Sequence, residues 1–314
     1  LSHKPTPVLF VAGSGRSGST LVGQVFASTP GTFSVGEVRH IWTRGLGDNW
    51  SCGCGAPFRE CPFWSAVLSD AFGRTIDLAR LRWSERRLLR LRAGVSALRW
   101  IREPERLRAR HSYYLDALER LYRAIVSVSA ASVVVDASKT PSYAALLSLL
   151  PSLDLRVLHL VRDPRATAYS WLNPKPSPDR GPAATMDRIG AAKSALLWTC
   201  WNLLAEAIRW RRPDIPVARL RYESLALTPE TTLMRVRDRL VPELAGRPMG
   251  LEGNSARLVP THTVSGNPDR LRVGVVTIAP DERWRSQLAR RHRVVVTAIA
   301  GLGMMRYGYL RSPR

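Results

Sequence analysis

Apolar residues along the chain gather in short runs that alternate with longer, periodic stretches. Val8-Leu9-Phe10-Val11-Ala12 is one continuous run, and Val133-Val134-Val135 is a second. A third covers residues 155–161, interrupted by Arg156 and His159. Phe33-Ser34-Val35-Gly36-Glu37 and Pro216 to Glu223 read as further, shorter strands. Runs that are apolar on both faces belong to strands covered on both sides. Between them the pattern turns helical, over 19–28, 142–149, 186–211 and 281–301. Strands alternating with helices predict an α/β fold, a P-loop-like parallel sheet with helices on both faces. In such sheets ligands bind at the carboxyl ends of the strands.

The stretch 77–127 is also helical, with Leu81, Leu88, Leu91, Val95 and Leu98 at heptad spacing on one face. Pro104 is expected to split it into two helices. The other faces of residues 80–110 carry eleven Arg against three Glu, a local net charge of +8. This reads as a helical insertion packed on the core with a solvated basic face; a lid facing a membrane or acceptor is the alternative. Residues 40–65 read as loop. Residues 173–183 contain four prolines and are expected to form a mobile loop. No repeat or internal boundary is visible, so residues 1–314 read as a single domain with an insertion at about 77–127.

The first strand runs into Gly13-Ser14-Gly15-Arg16-Ser17-Gly18-Ser19-Thr20. Backbone N–H groups in such a turn converge on phosphate oxygens, and the following helix adds its positive end. The spacing Gly13-x4-Gly18 matches a nucleotide P-loop, but a P-loop places Lys next. Here that position is Ser19, and the nearest cation, Arg16, lies inside the turn. The turn suits a phosphate-bearing nucleotide with a different anion where a γ-phosphate would sit.

Arg16-Ser17-Gly18-Ser19-Thr20 resembles the 5′-phosphosulfate loop of sulfotransferases that use 3′-phosphoadenosine-5′-phosphosulfate (PAPS). Val157 to Trp171 is similar to that family's 3′-phosphate block, a strand, then Arg162-Asp163-Pro164-Arg165, then a helix with Ser170 eight residues after Arg162. Ser265-Gly266-Asn267-Pro268-Asp269-Arg270 is similar to the C-terminal cofactor segment of bacterial members. The three blocks stand in family order. The eukaryotic C-terminal signature is absent, which points to the bacterial and protein-tyrosine-like branches.

The resemblance implies in-line transfer of a sulfuryl group from PAPS to an acceptor hydroxyl, with 3′,5′-bisphosphate (PAP) leaving and no metal required. It places Glu37 as the general base, with His40 as runner-up, and a partly buried Glu is expected to have a raised pKa. Arg16 stands where Lys is common in the family, and Lys139 would stabilise the transferring group. Ser17, Gly18, Ser19 and Thr20 would hold the 5′-phosphate, and Arg162 and Ser170 the 3′-phosphate. Arg165 would add charge or cap the strand–helix junction. Asn267 and Arg270 would close over the nucleotide, with Thr261 to Gly274 ordering on binding.

The 314 residues carry a formal charge of +22, mostly Arg, which argues for anionic partners or for Arg-rich codon usage. No nucleic-acid recognition motif is visible, and peripheral contact with an acidic membrane surface is a second possible use. No apolar run approaches a membrane span. Leu1 to Pro5 lacks the layout of a secretory leader, so the expected location is cytoplasmic. Cys52, Cys54 and Cys61 are spaced C-x-C-x6-C. Three thiolates without a following ligand pair make a partial zinc pattern; loop packing or one disulfide are the other readings. Cys200 and His159 read as core, and His262 is unassigned. The acceptor is expected to be a lipid, carbohydrate (an anionic sugar included) or natural product, facing residues 40–65, the Arg-rich helices and residues 173–183, in an aromatic-lined pocket with basic rims to which Trp42, Trp50, Phe63 and Trp64 would contribute. Two rivals remain: a P-loop kinase using ATP and Mg²⁺, with Asp136 as its metal-holding carboxylate, and a non-enzymatic binder of anionic polymers or lipid.

Overall fold

The computed structural model describes residues 4–73, 75–89, 103–181 and 183–310. The strands are β1 (Thr6–Gly13), β2 (Thr32–Gly36), β3 (Val133–Lys139), β4 (Leu153–Val161) and β5 (Val217–Arg221), followed by β6 (Leu251–Glu252), β7 (Ser255–Leu258) and β8 (Gly274–Thr277). The helices are α1 (Ser19–Ala27), α2 (Pro62–Phe72), α3 (Leu78–Leu88), α4 (Pro104–Ser129), α5 (Pro141–Leu147) and α6 (Pro164–Leu172). The remaining helices are α7 (Ala191–Arg211), α8 (Tyr222–Leu227), α9 (Pro229–Leu240), α10 (Trp284–Gln287) and α11 (Arg290–Arg306). Strands β1–β5 form one parallel sheet in the order β2-β3-β1-β4-β5.

β1 is the axis of the sheet: Val8 pairs with Val134 on one side and with Leu155 on the other. Its side chains alternate between the two faces, as the two-residue period of a strand requires. Val8, Phe10 and Ala12 pack with α2, α4 and α5, whose contributions include Trp64, Leu121, Tyr122 and Leu146. Leu9 and Val11 pack on the other face with Val22, Val25 and Phe26 of α1 and Leu233 and Leu240 of α9. This double cover explains the uninterrupted apolar runs.

The insertion between β2 and β3 holds α2, α3 and α4. Asp77 caps α3 by accepting from the Arg80 N–H at 2.9 Å, a typical helix start. Pro104 is the first residue of α4, where its missing N–H costs nothing; a kink at His111 (φ −131°) bends that helix. The heptad positions Leu91, Val95 and Leu98 lie outside the described residues. Leu81 and Leu88 are buried in the main core, so the described part of the insertion packs on the sheet. Helix α2 and the three-stranded antiparallel sheet β6-β7-β8 were not expected from the sequence. Among the described residues no helix is long and apolar enough to cross a membrane.

Leu121→Ala removes a fully buried side chain where α4 meets the sheet. It should destabilise the protein by about 2–5 kcal/mol, read as a lower urea midpoint at unchanged slope.

Candidate active site

β1 and β3 are neighbours whose following helices go to opposite faces, α1 to one and α5 to the other. The loops part there and leave a cleft of about 810 Å³ at the carboxyl ends of the strands, a volume suited to a small ligand.

The turn after β1 forms one wall. A Cβ on Gly13 (φ +147°) would lie 2.2 Å from the Leu160 carbonyl oxygen, so the chain passes only as glycine. Arg16 adopts a left-handed φ of 65°, a conformation that costs a non-glycine residue free energy and concentrates at functional sites. Its guanidinium lies 4.6 Å over the Trp171 ring and donates to Met186 Sδ at 3.0 Å. Gly18 precedes α1 at φ +98°, and a Cβ there would lie 2.6 Å from the Tyr222 ring. Ser19 and Thr20 line the cleft. Ser17 is wholly buried and its side chain is not part of that lining.

The opposite wall comes from the end of β4. The Arg162 guanidinium sits 4.4 Å over Tyr222 and donates to the Arg16 carbonyl (3.2 Å) and to Asp281 (3.4 Å). Ser170 on α6 faces the same space, as does Asn267. Arg165 lies outside it, paired with the cap residue Asp163 at 2.7 Å and bonded to the Tyr309 carbonyl. Of the two roles expected for it, securing the strand–helix junction is the one its contacts match.

The floor holds Glu37, just past β2, and Lys139, the last residue of β3. They form a buried ion pair. Lys139 is left-handed at φ 65°, like Arg16. The Glu37 N–H donates to the Ser265 carbonyl at 3.1 Å, which fixes the turn that carries the carboxylate. His40 Nε2 stands 3.7 Å from Glu37, and His40 Nδ1 stands 3.8 Å from Glu85 of α3.

Arg16, Arg39, Arg44, Arg162, Arg180 and Lys139 all line the cleft. Cations gathered along one concave surface favour a ligand rich in anionic oxygens.

A sequence model of the sulfotransferase family matches residues 7–243. The chain belongs to the sulfotransferase family. Among solved structures, the sulfotransferase domain of the Synechococcus PCC 7002 olefin synthase is similar over 100% of this chain and 98% of its own, with 19% identity and a TM-score of 0.52. That likeness supports the fold. Sulfotransferase STF9 from Mycobacterium avium is 15% identical over 99% of this chain and 79% of its own, with a TM-score of 0.47. None of the curated proteins matches.

Several expectations for this sulfotransferase need correction. Arg270 is turned away from the cleft. It donates to the Thr263 carbonyl (2.9 Å) and the Ser51 carbonyl (2.6 Å) and pairs with the buried Asp179 (3.3 Å). The segment from Thr261 packs along β2, with the Val264 N–H bonded to the Val35 carbonyl and Thr261, Thr263 and Ser265 buried. In the described part of residues 173–183, the Asp179 carbonyl accepts from the Ser51 N–H at 3.1 Å and Pro176 pairs with Thr185. Trp42 and Trp64 are core residues, and Trp50 lies between the Arg44 and Arg180 guanidinium groups. The cleft is therefore basic, with Trp171 and Trp201 as its indole rings.

The Glu37 pKa also moves opposite to expectation. Burial alone would raise it, but Lys139, then Arg44 and Arg39, outweigh burial and hold the carboxyl below its usual range. Burial, reinforced by the same cations, keeps His40 far below the usual imidazole value, so it is neutral at pH 7. Arg39, Arg44 and Glu85 were missed from the sequence. The signal was present: Glu37, His40 and Arg44 are spaced three and four apart, and residues 38–45 form helical turns that place all three at the cleft.

In Lys139→Met the largest opposing charge is lost, and the Glu37 midpoint should rise; carboxyl ¹³C titration reads this directly, and an unchanged midpoint would refute the assignment. Burial pushes Glu85 up to about 7. Its folded pKa exceeds the unfolded value of about 4.3, so the folded state binds the extra proton between those limits and stability falls as pH rises through them. Glu85→Gln should therefore stabilise the protein at pH 8, by on the order of 3–4 kcal/mol, and do little at pH 4, as measured by urea denaturation at the two pH values.

Proposed function

We propose that the cleft binds PAPS and that the protein transfers its sulfuryl group to a hydroxyl of a small-molecule, lipid or carbohydrate acceptor. The observation that carries this reading is the meeting of Arg16, Arg162 and the Glu37–Lys139 pair around one cleft. When bound, PAPS supplies the sulfuryl group and a bisphosphate leaving group. The turn from Arg16 to Thr20 would hold the 5′-phosphosulfate, with Ser17 contributing through its backbone. Arg162 and Ser170 would hold the 3′-phosphate, and Asn267 would border the nucleotide.

Glu37 is ionised at neutral pH and accepts the proton of the acceptor hydroxyl. Lys139 has three donors, so it can keep its bond to Glu37 while neutralising charge that builds on the reacting oxygens. Arg16 neutralises the same charge from the turn. The acceptor enters a basic cleft, bordered by Arg39, Arg44 and Arg180, which suits an acceptor that carries an anionic group beside its hydroxyl.

The kinase reading is less well supported. Asp136 is fully buried, accepting from the Tyr122 hydroxyl at 2.6 Å and the Ser138 N–H at 2.8 Å. It does not line the cleft, and Ser19 stands where that reading needs Lys.

Isothermal titration with adenosine 3′,5′-bisphosphate, without divalent cation, should show binding that Arg162→Ala weakens by about tenfold or more. ATP with Mg²⁺ should bind much more weakly. Binding of ATP with Mg²⁺ and not of the bisphosphate would replace this reading with the kinase. Glu37→Gln should lower kcat by roughly 10²–10⁴ while bisphosphate affinity is retained.

A further inference from the structure

Cys52, Cys54 and Cys61 are joined in space by His262, 201 residues beyond Cys61. The three sulfurs and one ring nitrogen all lie within 4.8 Å of one another. Cys61 Sγ is 3.2 Å from His262 Nδ1, Cys52 Sγ is 3.9 Å from the same nitrogen, and Cys54 Sγ is 3.8 Å from Cys61 Sγ. A zinc ion with Zn–S bonds of about 2.3 Å sets tetrahedral sulfur–sulfur edges of about 3.8 Å, with slightly shorter sulfur–nitrogen edges. All four cysteines are free thiols. We propose that Cys52, Cys54, Cys61 and His262 form a structural Cys₃His zinc site.

The surroundings hold the four ligands in this arrangement. The turn that carries Cys52 and Cys54 is closed by the Gly55 N–H to the Cys52 carbonyl (2.9 Å) and by the Cys52 N–H to the Ala56 carbonyl (2.8 Å). Phe63 stacks on the His262 ring at 5.1 Å and 21°, fixing its plane. Trp64 Nε1 donates to the His262 carbonyl at 2.6 Å. The Gly53 N–H bonds the Thr263 carbonyl at 2.9 Å, so the two ligand-bearing segments are already fastened beside the cluster. Cys52 and Cys61 are buried, and Cys54 is exposed and leaves a way in. On binding, each thiol releases its proton to solvent and the imidazole binds as its neutral form. Three thiolates around Zn²⁺ leave a net charge of −1, with no redox change.

The site sits behind the active cleft rather than in it. Its ligand His262 is three residues from Ser265, whose carbonyl holds the Glu37 N–H. The metal would clamp the segment that leads to Asn267 against the loop that follows Glu37. The proposal does not depend on the identity of the sulfuryl donor.

The test uses the untagged full-length chain, purified without chelator from zinc-supplemented medium. Mass spectrometry of the metal should find about one zinc per chain, as four-coordinate structural sites hold. Metal-stripped protein titrated with Co²⁺ alone should develop thiolate-to-cobalt charge-transfer and tetrahedral d–d bands. Cys54→Ser and His262→Ala should lose the zinc, and Cys200→Ser should keep it. Cys54 is exposed, so its variant tests binding even where replacement of a buried ligand unfolds the protein. Zinc-free protein with no cobalt bands would overturn the proposal. So would a Cys54–Cys61 disulfide, detected as a loss of two hydrogens in the unreduced, alkylated protein.

Discussion

The buried pair of Glu37 and Lys139 is the interaction around which the cleft is organised. Removing Glu37 leaves the Lys139 ammonium buried among Arg39 and Arg44 with its carboxylate partner gone, a state that costs several kcal/mol, whereas loss of Lys139 leaves Glu37 with Arg44 and Arg39. The two residues come from the ends of adjacent strands, β2 and β3, so the pairing of those strands and the charge state of the floor are one condition. Lys139 reaches its partner from a left-handed backbone, which the sheet must stabilise. The turn of Glu37 is held in the same way, through the carbonyl of Ser265.

An excess of cations surrounds that pair. Arg16 and Arg162 lie over aromatic rings, Trp171 and Tyr222. Such rings hold a guanidinium in place without neutralising it. Arg270 and Arg165, by contrast, are spent on Asp179 and Asp163. Ring stacking alone does not mark the difference, since Arg162 also donates to Asp281 and Arg165 lies over Trp284 while it pairs with Asp163. Position separates them: Arg16 and Arg162 line the cleft, and Arg165 and Arg270 lie outside it.

The fold was legible because its signals are local. The apolar run from Val8 to Ala12 and the turn from Gly13 to Thr20 announce a strand and an anion-binding turn within a dozen residues. What stayed hidden depends on partners far away in sequence. Arg270 belongs to the same short segment as Asn267, yet Asp179, 91 residues distant, decides where it points. The lowered Glu37 pKa follows from Lys139, 102 residues away. Trp42 and Trp64 look like pocket residues when they are read beside Gly and Cys, but α2, which carries Trp64, buries that aromatic cluster in the core. Spacing alone left the three cysteines one ligand short, because His262 arrives from the other end of the chain.

The position of β1 has a consequence for how the protein is made. β1 pairs with β3 and β4 and not with β2, its neighbour in sequence. Its first partner begins at Val133, 120 residues after Gly13. Synthesis at about 5–20 residues per second leaves that interval open for roughly 6–24 seconds. Throughout it, the strand that ends in the anion-binding turn presents Val8 to Ala12 with both edges unpaired. Closing so long a loop also makes nucleation through the central strand slow. The nascent chain thus carries this apolar run with both edges open until β3 emerges.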